Sequence, residues 1–213
     1  MFDINNPKWT SHMVNVMIAT VGFESEPLII GIQTFNIKRM ILIREADPPS
    51  GVKKVENLMA STFGNVIDIV IKEVQNFYDI LSLVDLVTYL IKSEHDNNNQ
   101  VFVNITGGRK TASIGALLGV FKSVDKVKEV FYVTEEEHGI LPLPKISWTL
   151  QHTKYNLLKL VSEGMSDIEA LKEELDISRT MTYTHLRDLK DQALIVETPN
   201  GYELTLAGKL LLV

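Results

Sequence analysis

As far as about Lys145, the chain alternates short apolar runs with longer stretches in which apolar positions recur every three or four residues. Val14 to Val21 (VNVMIATV) is an apolar run of strand length, followed by the polar GFESEP and by LIIGIQTF, which reads as a short helix. Lys38 to Arg44 is a second strand-like run, and EADPPSG after it is a turn cluster opening a helix over Val52 to Ser61 that Gly64 ends. Asn65 to Ile71 alternates as a third strand. From Tyr78 to Lys92, Ile80, Leu83, Val84, Val87 and Ile91 follow the helical period. A polar run, SEHDNNNQ, separates that helix from a strand at Val101 to Ile105, a Gly-Gly turn and a helix over Thr111 to Phe121. Two last runs, Val127 to Thr134 and Ile140 to Leu143, are joined by EEEHG in the manner of a hairpin. Parallel strands require a crossover between them, so this alternation predicts an α/β, doubly wound, mostly parallel sheet with an antiparallel edge at its end.

The two prolines of LPLPKISW break that rhythm, and the boundary is placed near Trp148, giving a domain over 13–148 and another over 149–213. In the second, Leu157, Leu158, Leu160 and Val161 mark a helix that Gly164 stops. Ser166 to Glu169 reads as a capping box opening a helix with Ile168, Leu171 and Leu175 inward. Residues DIS turn the chain into a third helix, Ser178 to Gln192, with Thr182, Leu186 and Leu189 inward. LIVETPNGYELTL is a hairpin signalled by Pro-Asn-Gly, and AGKLLLV starts a last helix. This order describes a winged helix-turn-helix.

Composition narrows the chemistry. There is no cysteine, which excludes thiolate metal sites, cysteine nucleophiles and disulfides, and the five histidines lack ligand spacing, so no metal is expected. No apolar segment reaches membrane-spanning length and no export signal is seen, which predicts a cytoplasmic protein with no membrane partner. Ser-His-Met at 11–13 looks like a cloning scar, so residues 1–12 read as an added leader. The net charge is −6, evenly spread: from His152 onward seven Lys and Arg stand against ten Asp and Glu, a balance of −3. A nucleic-acid reader usually carries a basic surface, and this half does not.

The candidate site is the turn after the fourth strand. In a doubly wound sheet, ligands sit beyond the carboxyl ends of the strands, where helix N-termini favour anions. Gly107 and Gly108 let the backbone approach an anion, Thr106 offers a hydroxyl, and Arg109 and Lys110 add two charges. The loop after the first strand, Thr20 to Ser25, opens on the same edge. The spacing is not that of a Walker A loop, and no GxGxxG follows the first strand.

Asn104-Ile-Thr-Gly-Gly-Arg-Lys110, together with Thr20-Val-Gly-Phe-Glu24, resembles the two signature loops of CRISPR-associated Rossmann-fold (CARF) domains. With a winged helix behind it, the order is similar to that of archaeal CRISPR-associated transcriptional regulators. The resemblance implies a Rossmann-like domain that forms a homodimer and binds a cyclic oligoadenylate, commonly cyclic tetra-adenylate, across the twofold axis, with no other cofactor. Ligand residues would be Thr20, Gly22, Phe23, Glu24, Asn104, Thr106, Gly107, Gly108, Arg109 and Lys110. Phe23 reads equally as core, and Asn104 equally as a tie within the turn. The twofold symmetry of such a dimer would set two Arg109 and two Lys110 against four phosphates.

On the third helix of the second domain, Arg179, Thr180, Tyr183, Thr184 and Arg187 face away from the core, with Asn200 at the wing tip, as a DNA reader requires. A dimerisation or clamp module on the same fold stays open, given the acidic balance. Ala193, where such helices commonly end in glycine, suggests a different helix exit. The spacing Arg179-x5-His185 also fits HEPN ribonucleases, but too little chain remains for that helical bundle. The resulting expectation is a ligand-sensing regulator with no catalytic residue. Its rival is a ring nuclease in which the ligand's own 2′-hydroxyl attacks, without metal, while Arg109 and Lys110 stabilise the phosphorane. A vestigial ligand site in an assembly partner is the third reading.

Overall fold

The structure is a computed structural model describing residues 13–147 and 150–212; the expected leader and the boundary residue Trp148 lie outside the described residues. The chain divides into two compact units, one ending at Ile146 and the other beginning at Ser147.

The first unit runs β1 (Asn15–Thr20), α1 (Glu26–Phe35), β2 (Arg39–Glu45), α2 (Ser50–Phe63), β3 (Asp68–Val74), α3 (Ile80–Asp96), β4 (Gln100–Asn104), α4 (Lys110–Lys122), β5 (Val127–Val133) and β6 (Ile140–Pro142). The strands form one sheet in the order β3-β2-β1-β4-β5-β6. All neighbours pair in parallel except β6, which pairs antiparallel with β5. This is an α/β fold with a mostly parallel six-stranded sheet flanked by helices. The strand alternation sorts the core into two layers. Val16 and Ile18 of β1 face Leu83 and Val87 of α3 and Ala112 and Ala116 of α4. Met17 and Ala19 face Leu28 and Ile32 of α1 and Val52, Val55 and Met59 of α2. Both faces of the central strands are therefore buried, which is why they read as apolar runs without alternation.

The third strand lies three residues later than the sequence suggests. Val66 and Ile67 donate their N–H groups back to Phe63 O, at 2.9 and 2.8 Å, so they finish the exit from α2. Pairing with β2 then runs from Arg39↔Asp68 to Glu45↔Val74. At this sheet edge Lys72 and Glu73 are compatible with a strand, and their polarity hid its second half.

The order of the sheet positions the site. From β1 the chain moves outward through β2 to β3, then α3 carries it back to β4 on the other side of β1. The loops after β1 and β4 thus leave neighbouring strands in opposite directions, a topological switch point where a crevice opens.

The second unit runs α5 (His152–Ser162), α6 (Ile168–Leu175), α7 (Arg179–Asp191), β7 (Ile195–Thr198), β8 (Gly201–Leu204) and α8 (Leu206–Leu212). Leu157, Leu158, Val161, Leu171, Leu186, Leu189, Leu194, Ile195 and Leu211 form its core. Strands β7 and β8 are an antiparallel pair. Two expectations are corrected here. The N-cap of α6 is Asp167, whose Oδ1 accepts from Ala170 N at 2.9 Å, one residue after the predicted Ser166. Ala193 does not change the exit of α7: it takes φ 54°, as a glycine would, while its N–H bonds Lys190 O and that of Leu194 bonds Leu189 O, both at 2.9 Å. That is a Schellman ending with alanine in the left-handed position.

Candidate functional site

Gly107 and Gly108 are glycines because the β1 loop leaves no room for a side chain. A Cβ on Gly107 would lie 2.4 Å from Thr20 O and 2.9 Å from Gly22 N, and Gly108 has φ +84°. The contact is reciprocal, since a Cβ on Gly22 would lie 2.7 Å from Gly108 N. Thr20 fastens the two loops by donating its hydroxyl to Gly107 O at 2.6 Å. Asn104 donates its side-chain amide to Pro27 O and accepts Thr106 N on Oδ1, both at 3.0 Å. Thr106 Oγ1 accepts from Val133 N at 2.8 Å, tying the turn to β5. Thr20 and Asn104 are each 1% exposed, so their side chains brace the loops from within the fold.

Helix α4 starts at Lys110 directly after this turn, with Arg109 in extended conformation as its N-cap and no side chain capping it. Lys110 and Thr111 of its first turn line the crevice, where the positive end of a helix dipole favours an anion. The cleft there has a volume of about 780 Å³. The β1 loop from Val21 to Glu24, the ends of β2 and β5, the β3–α3 connection and the turn from Thr106 to Thr111 line it. Gly22, Phe23, Glu24, Thr106, Gly107, Gly108, Arg109 and Lys110 thus come together around one opening. Phe23 is 71% exposed, which removes it from the core, and its ring lies against Gly51 at the start of α2.

Among the lining residues that the sequence did not single out, Glu45 and Tyr78 engage Arg109. Glu45, the last residue of β2, places Oε2 3.5 Å from Arg109 Nε, and its Oε1 accepts from Phe77 N at 3.2 Å. Tyr78 accepts from an Arg109 guanidinium N–H at 3.3 Å and carries that guanidinium 5.5 Å from its ring centroid. Glu45 ends one parallel strand and Tyr78 lies in the connection that follows another, and that position was the available signal. The remaining rim is acidic. His138 Nδ1 lies 3.4 Å from Glu26 Oε2, and Tyr132 donates to Glu135 Oε1 at 2.9 Å, which raises the phenol above its usual pKa.

In the second unit, Arg179, Thr180, Tyr183 and Arg187 are exposed on α7, with Thr184 half-buried and Asn200 exposed between β7 and β8. Arg179 is engaged locally, 3.5 Å from Glu169 Oε1 and 5.9 Å from the Tyr183 ring centroid. Asp188 is taken up by Lys154 at 2.8 Å, which lowers its pKa. His185 is buried with Nδ1 unpaired, while Arg179 is exposed, so the two do not form a common site. Among the described residues no group of three or more His, Asp or Glu could hold a metal ion, and no helix is long and apolar enough to cross a membrane.

Residues 15–138 match the family model described as HFX_2341_N:-like, N-terminal. No curated protein matches the chain. Among solved structures, a type III CRISPR defence DNA nuclease activated by cyclic oligoadenylate superposes with a TM-score of 0.52 at 12% identity, over 85% of this chain and 30% of that one. Protein VC1899 from Vibrio cholerae gives 0.51 at 10% identity, over 92% and 63%. Csm6 from Enterococcus italicus, bound to cyclic hexa-2′-fluoro-hexa-dAMP, gives 0.49 at 13% identity, over 86% and 57%. The chain spans less than two thirds of each of these proteins.

Proposed function

The chain belongs to the HFX_2341_N:-like family, and from that premise we propose that its first unit is a CARF domain sensing a cyclic oligoadenylate and that its second unit, from about residue 149, is a winged helix-turn-helix acting on DNA. The observation that carries the reading is the locked pair of loops at the switch point. Gly22 and Gly107 touch backbone to backbone, and Arg109, Lys110 and the first turn of α4 stand at the same opening. Such a turn presents N–H groups and two cations to phosphate oxygens without an intervening side chain. The nuclease of which 30% superposes on this chain is activated by cyclic oligoadenylate, and that ligand class suits this cleft. The acidic rim has a place in the same picture, because ribose hydroxyls and adenine amino groups are donors that carboxylates accept.

Two copies related by a twofold axis would offer a ring of four phosphates two such turns. The outer face of α4 suits self-association: Ile114 is 53% exposed and Leu118 is half-buried, while Gly115 and Gly119 face Leu83 and Val87 of α3. Calorimetry with cyclic tri-, tetra- and hexa-adenylate tests the reading. One ring per two chains is expected, tetra-adenylate tightest; one ring per chain, or no binding at micromolar concentration, overturns it.

For the second unit, Arg187→Ala is expected to weaken retention of a promoter fragment and to reduce the salt slope of binding by about one per protomer, since each phosphate contact releases counterions. Failure to retain DNA at about 50 mM salt, with and without ligand, would leave the unit a clamp or dimerisation module.

A further inference from the structure

Arg109 points at a partner that a nucleotide would have to replace. Its guanidinium is half-exposed and shared between the Glu45 carboxylate at 3.5 Å and Tyr78, whose hydroxyl it reaches at 3.3 Å and whose ring it covers at 5.5 Å. Tyr78 itself is 64% exposed, on backbone fixed at both sides: its N–H donates to Asn76 Oδ1 at 2.8 Å, and Asp79 caps α3 by accepting from Ser82 N at 3.1 Å. A rigidly presented, exposed ring at the wall of a cleft contributes little to the core. Glu45 is also held, by Phe77 N at 3.2 Å, so of these three groups Arg109 has the freedom to move.

We infer that Glu45 and Tyr78 are selectivity residues of the nucleotide site, working by exchange: a phosphate draws Arg109 away from Glu45, and a nucleobase takes the guanidinium's place on the Tyr78 ring. This rests on the reading of the cleft as a cyclic oligoadenylate site. The direction follows from the chemistry. A phosphate offers several oxygens at about 2.7–2.9 Å to a guanidinium, against one carboxylate contact stretched to 3.5 Å. An uncovered tyrosine face stacks any flat base, which is how single-stranded nucleotides are held elsewhere. Glu45 therefore keeps Arg109 occupied against small anions that bring no base to fill the vacated ring. Ligands carrying both phosphate and base regain what the cation gave up.

The test is a titration of the full chain with cyclic tetra-adenylate and, separately, with inorganic phosphate. Glu45→Gln keeps an acceptor for Phe77 N and removes the charge. It is expected to tighten cyclic tetra-adenylate binding about two- to fivefold, and phosphate binding at least as much. Tyr78→Leu is expected to weaken the cyclic ligand roughly 5- to 150-fold without weakening phosphate, and Tyr78→Phe to restore most of the loss. A gain of affinity cannot come from a damaged fold, so the Glu45 result stands apart from stability. If wild-type protein binds cyclic tetra-adenylate and Tyr78→Leu and Glu45→Gln bind it equally well, the exchange is wrong and the ligand reading stands. If wild-type protein binds no cyclic oligoadenylate, both fall.

Discussion

Gly107→Ala should separate the β1 and β4 loops, lowering the stability of the first unit by about 3 kcal/mol and abolishing ligand binding. The added methyl would sit 2.4 Å from Thr20 O and 2.9 Å from Gly22 N. Both are backbone atoms of a loop pinned by the Thr20 hydroxyl, so no side chain can swing aside. Relief requires the loops to part, which breaks the Thr20 to Gly107 bond and spoils the surface offered to phosphate. Gly139→Ala is the matched control, because its Cβ would find nothing nearer than Thr134 Oγ1 at 3.6 Å. Thermal unfolding should show a midpoint lower by roughly 6–12 °C for Gly107→Ala and nearly unchanged for Gly139→Ala. Equal midpoints would mean that the loops are not locked together as described.

The parts of this molecule that sequence reveals are those whose signal is local. The apolar runs of β1, β2 and β4 announce strands buried on both faces, and the Gly-Gly step announces a turn with no room for side chains. The misplaced third strand shows the limit. Asn65 to Ile71 read as one strand, yet the backbone of Val66 and Ile67 is spent closing α2, and only pairing with β2 decides where extension begins. Ser166 and Asp167 are both good caps, and neighbouring geometry chose the second. At the site, Arg109 and Lys110 were visible because they follow the glycines directly. Glu45 and Tyr78 were not, because they approach Arg109 from the ends of other strands and no spacing in the chain encodes that meeting. Asn104 was legible as a residue of interest and undecided in role. Its two hydrogen bonds, to Pro27 O and from Thr106 N, engage it as a brace.

Replacing both Arg109 and Lys110 by alanine is expected to weaken cyclic oligoadenylate binding by about 2 to 6 kcal/mol per proposed dimer, taking each lost charge-assisted bond at roughly 1.5 to 3 kcal/mol and allowing for redundancy. The single change Lys110→Met then separates a sensor from an enzyme. Lys110 is the first residue of α4, directly after the turn, and lines the cleft beside Gly107 and Gly108, so it is the cation to test against a phosphate held there. An interaction made equally in ground and transition states changes affinity, whereas one made only to a phosphorane changes turnover and leaves binding intact. For a regulator, wild-type protein holds cyclic tetra-adenylate longer than it converts it, and Lys110→Met fails to bind. Chromatography of ligand incubated with excess protein, beside calorimetry of the same variant, reads both quantities. Rapid conversion to linear product by wild-type protein, with Lys110→Met binding normally and converting none, would replace the sensor by a ring nuclease whose nucleophile is the ligand's own 2′-hydroxyl.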